Sequence, residues 1–129
     1  MAADLLVDTS VWIDVLRGAL PASEASLARL IRARRVAVVG QVVAELIQGI
    51  RDLREQDAQL ARMAGLAWLE TDRRTWVLAG QLSARVRFSG RTVKLGDCVI
   101  AAAAMLNHCK LLTRDADFLR LPGLNVELI

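Results

Sequence analysis

Four short apolar runs punctuate the chain: Leu5-Leu6-Val7, Val36-Ala37-Val38-Val39, Leu66-Ala67-Trp68-Leu69 and Lys110-Leu111-Leu112-Thr113. Runs that are apolar nearly throughout predict strands buried on both faces, as parallel strands are. Between them the apolar positions fall into helical spacing. A first helix is expected from about Val11 to Arg17-Gly18, and a second from Pro21-Ala22-Ser23-Glu24, with Leu27, Leu30 and Ile31 on one face. Gly40 lets the chain turn into a helix from about Gln41 to Gln48. The charged stretch from Arg51 to about Ala64 reads as a helix with Leu53, Leu60 and Ala64 facing inward. Thr71-Asp72 caps the next one, which keeps Leu78, Leu82 and Val86 at spacings of four. The stretch 88–96 reads as a loop, and Gly96 to Leu106 as an alanine-rich helix packed closely on the sheet and covered on its other side. A turn at Pro122-Gly123 precedes a last strand, Leu124 to Leu128. Strands alternating with helices predict an α/β fold, and 129 residues read as one domain, 1–129.

Composition narrows the chemistry. The chain is 54% hydrophobic, enough for one core without disulfides or structural metal. Its longest apolar run, Cys98 to Leu106, is too short to span a bilayer, and the N-terminus lacks a targeting pattern, so a soluble cytoplasmic protein with no membrane partner is expected. The two cysteines fall on opposite ends of one predicted helix, roughly 16 Å apart, and cannot pair within it. His108 is the single histidine, which argues against a zinc site or a histidine-dependent triad and reads as a surface or helix-end residue. A net charge of +3 is compatible with a polyanionic partner. Three tryptophans, two phenylalanines and no tyrosine disfavour a base-stacking platform, so nucleic-acid contact is expected mainly at the backbone. Arg91 and Lys94, with Arg85 and Arg87 just before them, are candidates for phosphate contact, while solvated loop charges explain them equally well.

The acids carry the chemical argument. Asp8 ends the first strand, Glu45 lies on an otherwise apolar helix after the second, Asp97 opens the alanine-rich helix, and Asp115 and Asp117 follow the fourth strand. Each alone is explained by capping. In a parallel sheet, however, strand ends and the helix starts that follow them share one edge, where gathered carboxylates repel unless a cation is shared. A hard divalent ion such as Mg²⁺ or Mn²⁺ resolves that repulsion, and carboxylates holding such ions are equipment for phosphodiester hydrolysis.

Leu-Leu-Val-Asp8-Thr-Ser-Val-Trp-Ile-Asp with Arg17-Gly18, then Val-Val-Ala-Glu45-Leu, Gly-Asp97-Cys-Val-Ile-Ala-Ala-Ala-Ala and Leu-Leu-Thr113-Arg-Asp115-Ala-Asp117-Phe together resemble PIN-domain ribonucleases of the VapC toxin type. The resemblance covers essentially the whole chain. It implies a parallel sheet of four or five strands flanked by helices, and a Mg²⁺- or Mn²⁺-dependent endoribonuclease that cleaves RNA with metal-activated water. It also implies a homodimer and a cognate VapB-type antitoxin. By position Asp8, Glu45 and Asp97 match the first three catalytic acids. Asp115 is favoured as the fourth, with Asp117 as a second metal ligand beside Asp8, Asp97 and Asp115, or as an outer-shell acid. Ser10 matches a small polar position that supports the first acid, and Thr113 is grouped with it.

Three other readings compete. A haloacid-dehalogenase-like phosphatase needs a second Asp two residues after the first, where Ser10 stands. A receiver domain needs an adjacent acidic pair after the first strand and a phosphoacceptor Asp at a mid-chain strand end, and this chain has neither. A non-catalytic partner-binding module keeps the fold but has no need of intact acids. Within the nuclease reading itself, a non-toxin RNA-processing enzyme stands beside the toxin.

Overall fold

The structure, a computed structural model, describes residues 2–18 and 21–129; the side chains of residues 21–26 lie outside that description, and with them the side-chain detail of the helix start at Pro21-Ala22-Ser23-Glu24. Five strands, β1 (Leu5–Val7), β2 (Val36–Val39), β3 (Ala67–Leu69), β4 (Lys110–Thr113) and β5 (Val126–Leu128), form one sheet in the order β3-β2-β1-β4-β5. Every neighbouring pair is parallel, with Leu6 opposite Ala37 on one side and Leu111 on the other. The helices are α1 (Thr9–Leu16), α2 (Pro21–Arg32), α3 (Gly40–Gln48), α4 (Leu53–Met63), α5 (Arg73–Phe88) and α6 (Leu95–Leu106), and a 3-10 turn spans Ala116–Arg120.

The expected α/β class and parallel sheet are what the chain forms. β1 and β2 are buried throughout, as their uninterrupted apolar runs require, whereas the edge strand β3 leaves Ala67 and Trp68 exposed. From Cys98 to Ala104 every residue of α6 is buried. Alanine there lets α6 lie close to its neighbours with no volume left over for solvent. The chain moves from β1 to β2 and β3 on one side, then crosses to β4 and β5 on the other. The strand order therefore reverses between β1 and β4, and the crevice beyond their carboxyl ends is where an open α/β sheet builds a site.

Two expectations need correction. On α4 the inward residues are Gln59 and Met63, while Leu53 and Leu60 are 72% and 40% exposed and Ala64 is exposed as well. Both sets have helical spacing, and a peripheral helix docks by the stripe its neighbours leave room for, here the one on which Trp68 Nε1 donates to Met63 O at 3.1 Å. The second correction concerns Cys109. It lies beyond the end of α6, after His108, whose φ of +54° breaks the helix, and its N–H returns to Ala104 O at 2.9 Å. Both cysteines are buried and free.

Candidate active site

Asp8 is the last residue before α1 and 4% exposed. A charge that deep must be hydrogen-bonded, and three donors converge on its Oδ2: Ser10 N at 3.4 Å, Ser10 Oγ at 2.8 Å and Thr113 Oγ1 at 2.8 Å. The Ser10 amide is an N-cap bond, and it starts α1 at Thr9, two residues before the expected Val11. Ser10 Oγ in turn accepts from Arg114 N at 3.1 Å, and Thr113 Oγ1 accepts from Asp115 N at 3.0 Å. One hydroxyl from each side of the β1–β4 pair thus ties the first acid to the segment that carries the last. All of these donors use Oδ2, and among the described residues none donates to Oδ1.

Glu45 reaches the same crevice from α3. Thr9 Oγ1 donates to its Oε1 at 2.9 Å. Burial raises its pKa above the usual carboxylate value, and the charge of Asp8 adds to that; the bond from Thr9, the Gln41 amide and Lys94 act in the opposite direction. Asp97 lies in the first turn of α6, and its pKa is pushed up to about 6. Burial is the largest cause, followed by the charges of Asp8, Glu45 and Asp115, with Lys94 opposing them. Carboxylates from α3 and α6, from the end of β1 and from beyond β4 therefore act on one another across a shared space, with Lys94, which caps α6, as the cation at its rim.

Asp115 belongs to that set, while Asp117 is engaged elsewhere. Asp115 caps the 3-10 turn by accepting from Asp117 N at 2.9 Å. The carboxylate of Asp117 lies 3.3 Å from Arg120, and the carboxylates that chiefly act on Asp97 are those of Asp8, Glu45 and Asp115. Arg91 is exposed in the loop before α6, and it makes no ion pair among the described residues.

Sequence reasoning missed three contributors. Thr9 holds Glu45 from 36 residues away. Arg114 forms a close ion pair with Asp14 of α1. Gln41 packs where α6 begins: a Cβ on Gly96 would sit 2.6 Å from Gln41 Nε2 and push that flexible amide aside. The adjacency of Thr9 to Asp8 was the one signal in the sequence, since the other contacts depend on which helices meet.

The donor set consists wholly of carboxylate oxygens, the chemistry a hard divalent cation selects. The pKa of Asp97 is lifted by burial and then by three like charges, and the repulsion among those charges is what such a cation would relieve. Among the described residues, no three Asp, Glu, His or Cys side chains are gathered closely enough to hold a metal ion as they stand, so a cation would have to draw the acids together.

This arrangement, acids at the carboxyl edge of a five-stranded parallel sheet, defines the class. The chain belongs to the PIN-domain family, whose model matches residues 5–124. It is 34% identical over 109 residues to Ribonuclease VapC19 of Mycobacterium tuberculosis, covering 84% of this chain and 86% of that protein. Among solved structures it is similar to VapBC-5 of Mycobacterium tuberculosis, a member of the VapBC family of toxin–antitoxin systems, at 29% identity and a TM-score of 0.64 over 100% of this chain and 98% of that one. DNA-bound VapBC from Salmonella typhimurium shares the fold at 22% identity and a TM-score of 0.85, over 97% of each chain.

Proposed function

We propose that this chain is the endoribonuclease toxin of a VapBC-type toxin–antitoxin pair, working with Mg²⁺ or Mn²⁺ held by Asp8, Asp97 and Asp115, with Glu45 as a further catalytic acid. The observation that carries the reading is the mutual field of Asp8, Glu45, Asp97 and Asp115 at the carboxyl ends of β1 and β4 in a PIN fold. Asp117 is an outer acid in this scheme, held by Arg120.

The residues divide the work. Ser10 and Thr113 fix Asp8 through Oδ2 and leave Oδ1 for the cation. Asp97, held by no hydrogen bond that lowers its pKa, is the acid most readily drawn to a cation. Glu45, oriented by Thr9, stands ready to accept a proton from the attacking water, and its raised pKa brings it nearer the range suited to a general base. Lys94 attracts the RNA phosphate toward the acids and offsets their repulsion of it. When bound, a divalent cation supplies Lewis acidity, polarising the phosphodiester and lowering the pKa of water. No protein nucleophile is needed, and exposed His108, at the far end of α6, takes no part.

The same reading assigns two protein partners. VapBC-5 carries its partnership in its name, and a cytoplasmic nuclease of this kind requires an inhibitor. Trp68, Trp76 and Val77, each about half exposed at 46%, 54% and 54%, together with Leu53 and Leu60 on α4, give a second copy of the chain apolar surface to cover. Expression in cells tests the whole proposal. Growth should stop, new RNA 5′ ends should appear at a restricted set of sites, and co-expression of the small neighbouring reading frame should reverse both effects and yield a co-purifying complex. Unimpeded growth with an unchanged 5′-end map would refute it. Cleavage without toxicity or a partner would point to an RNA-processing nuclease.

A further inference from the structure

Charge is distributed unevenly along this chain. Residues 73–96 hold six of the 17 lysines and arginines and none of the 14 acids, leaving 11 cations against 14 acids elsewhere. Residues of that segment alone line a groove of about 450 Å³ between α5 and the start of α6. Gly80, Ser83 and Ala84 give it a floor of small side chains, Arg87 and Lys94 line it, and no acid does. On its border lies Phe88, 87% exposed, the most exposed large apolar side chain described. Arg85, Arg87, Arg91 and Lys94 make no ion pair among the described residues. At its α6 end the groove is lined by Lys94, whose charge also acts on Asp97 and Glu45.

We propose that this groove is the track for single-stranded RNA beside the scissile phosphate, with one base stacked on Phe88 and the backbone held by Arg87 and Lys94. A solvated aromatic ring is costly to leave in water, and stacking of a base on its face covers it while tolerating any sequence. The composition argues against a base-stacking platform and for backbone contact; Phe88 departs from that expectation as a single exposed ring that serves one base. A second copy of the chain is the other occupant that would hide Phe88. Symmetry disfavours it, since a two-fold contact across this groove would set Arg85, Arg87, Arg91 and Lys94 against their own copies. A polyanion meets those charges with the opposite sign.

The inference rests on the ribonuclease reading but fails separately from it. The probe is a fluorescein-labelled pool of random-sequence 12-nucleotide RNA, titrated in EDTA so that binding is followed without cleavage, with light scattering on the same samples. Phe88→Ala should weaken binding roughly 5- to 100-fold, Phe88→Trp should restore it, and Phe88→Leu, apolar but without an aromatic face, should not. Arg87→Ala should reduce the slope of log affinity against log salt by about 0.7. Wild-type affinity in Phe88→Ala or in Phe88→Leu would overturn the stacking role while leaving the nuclease reading intact. So would a dimer that becomes monomeric in Phe88→Ala with its RNA affinity unchanged, which would make the groove a contact between copies. If the wild-type protein neither binds this pool nor cleaves any RNA, the nuclease reading itself falls and takes the groove with it.

Discussion

Replacing Asp97 by Asn should stabilise the metal-free protein, and by an amount that depends on pH in a calculable way. An aspartate free of such surroundings titrates at 3.8, and Asp97 is lifted to about 6 by burial and by Asp8, Glu45 and Asp115. That difference corresponds to about 3 kcal/mol of unfavourable charging, which partial exposure reduces to roughly 1–3 kcal/mol. The sign follows from proton linkage. The folded state holds the Asp97 proton to higher pH than the unfolded chain does, so this contribution favours folding fully below about pH 4 and is lost as pH rises through about 6. Asn, which never charges, should therefore melt about 4–12 °C above wild type at pH 8 in EDTA, with the gap closing toward pH 4. Millimolar Mn²⁺ should reverse the order, because the wild-type acids gain binding free energy that the variant forfeits. Calorimetric melting of both proteins at pH 4, 6 and 8, with and without Mn²⁺, measures all of this. A variant no more stable than wild type at pH 8 in EDTA, or equally favoured at pH 4, would refute the electrostatic reasoning.

Three further outcomes follow from the same geometry. Asp8→Asn should abolish cleavage yet cost about 1 kcal/mol of stability in urea titration, because its Oδ2 anchors three donors that Asn satisfies less well, and a stabilised variant would contradict that role. Thr113→Val, at a fully buried position, should destabilise by roughly 1–3 kcal/mol and depress RNA cleavage, since it removes a donor from Asp8 and the acceptor of Asp115 N; unaltered activity would separate Thr113 from the site. Joint replacement of Arg91 and Lys94 by Ala should lower the log-salt slope of RNA binding by about 0.7 for every phosphate left without its cation, and an unchanged slope would return both to solvated loop charges.

The parts of this structure legible from sequence are those fixed by local pattern. Uninterrupted runs such as Val36–Val39 fit only a strand covered on both faces, and the apolar ring of α6 fits only a helix enclosed on all sides. The acids were legible because parallel topology sends strand ends and helix starts to one edge. What could not be read depends on distant contact. Leu53 and Leu60 form as regular a stripe as Gln59 and Met63, and only the docked neighbours decide between them. Thr9 with Glu45, Asp14 with Arg114 and Gln41 with Gly96 are pairings between elements far apart in the chain. That Asp115 caps a 3-10 turn while Asp117 lies beside Arg120 could likewise not be read from their near-identical places after β4.

Whether these carboxylates and a divalent ion cut RNA is decided by incubating the purified protein with a structured RNA in EDTA, in Mg²⁺ and in Mn²⁺, beside Asp8→Asn and Asp97→Asn. Discrete internal cleavage is expected from the wild-type protein only when Mg²⁺ or Mn²⁺ is present, and none from either variant. Cleavage that persists in EDTA, or that survives Asp97→Asn, would contradict metal-dependent cutting by these acids.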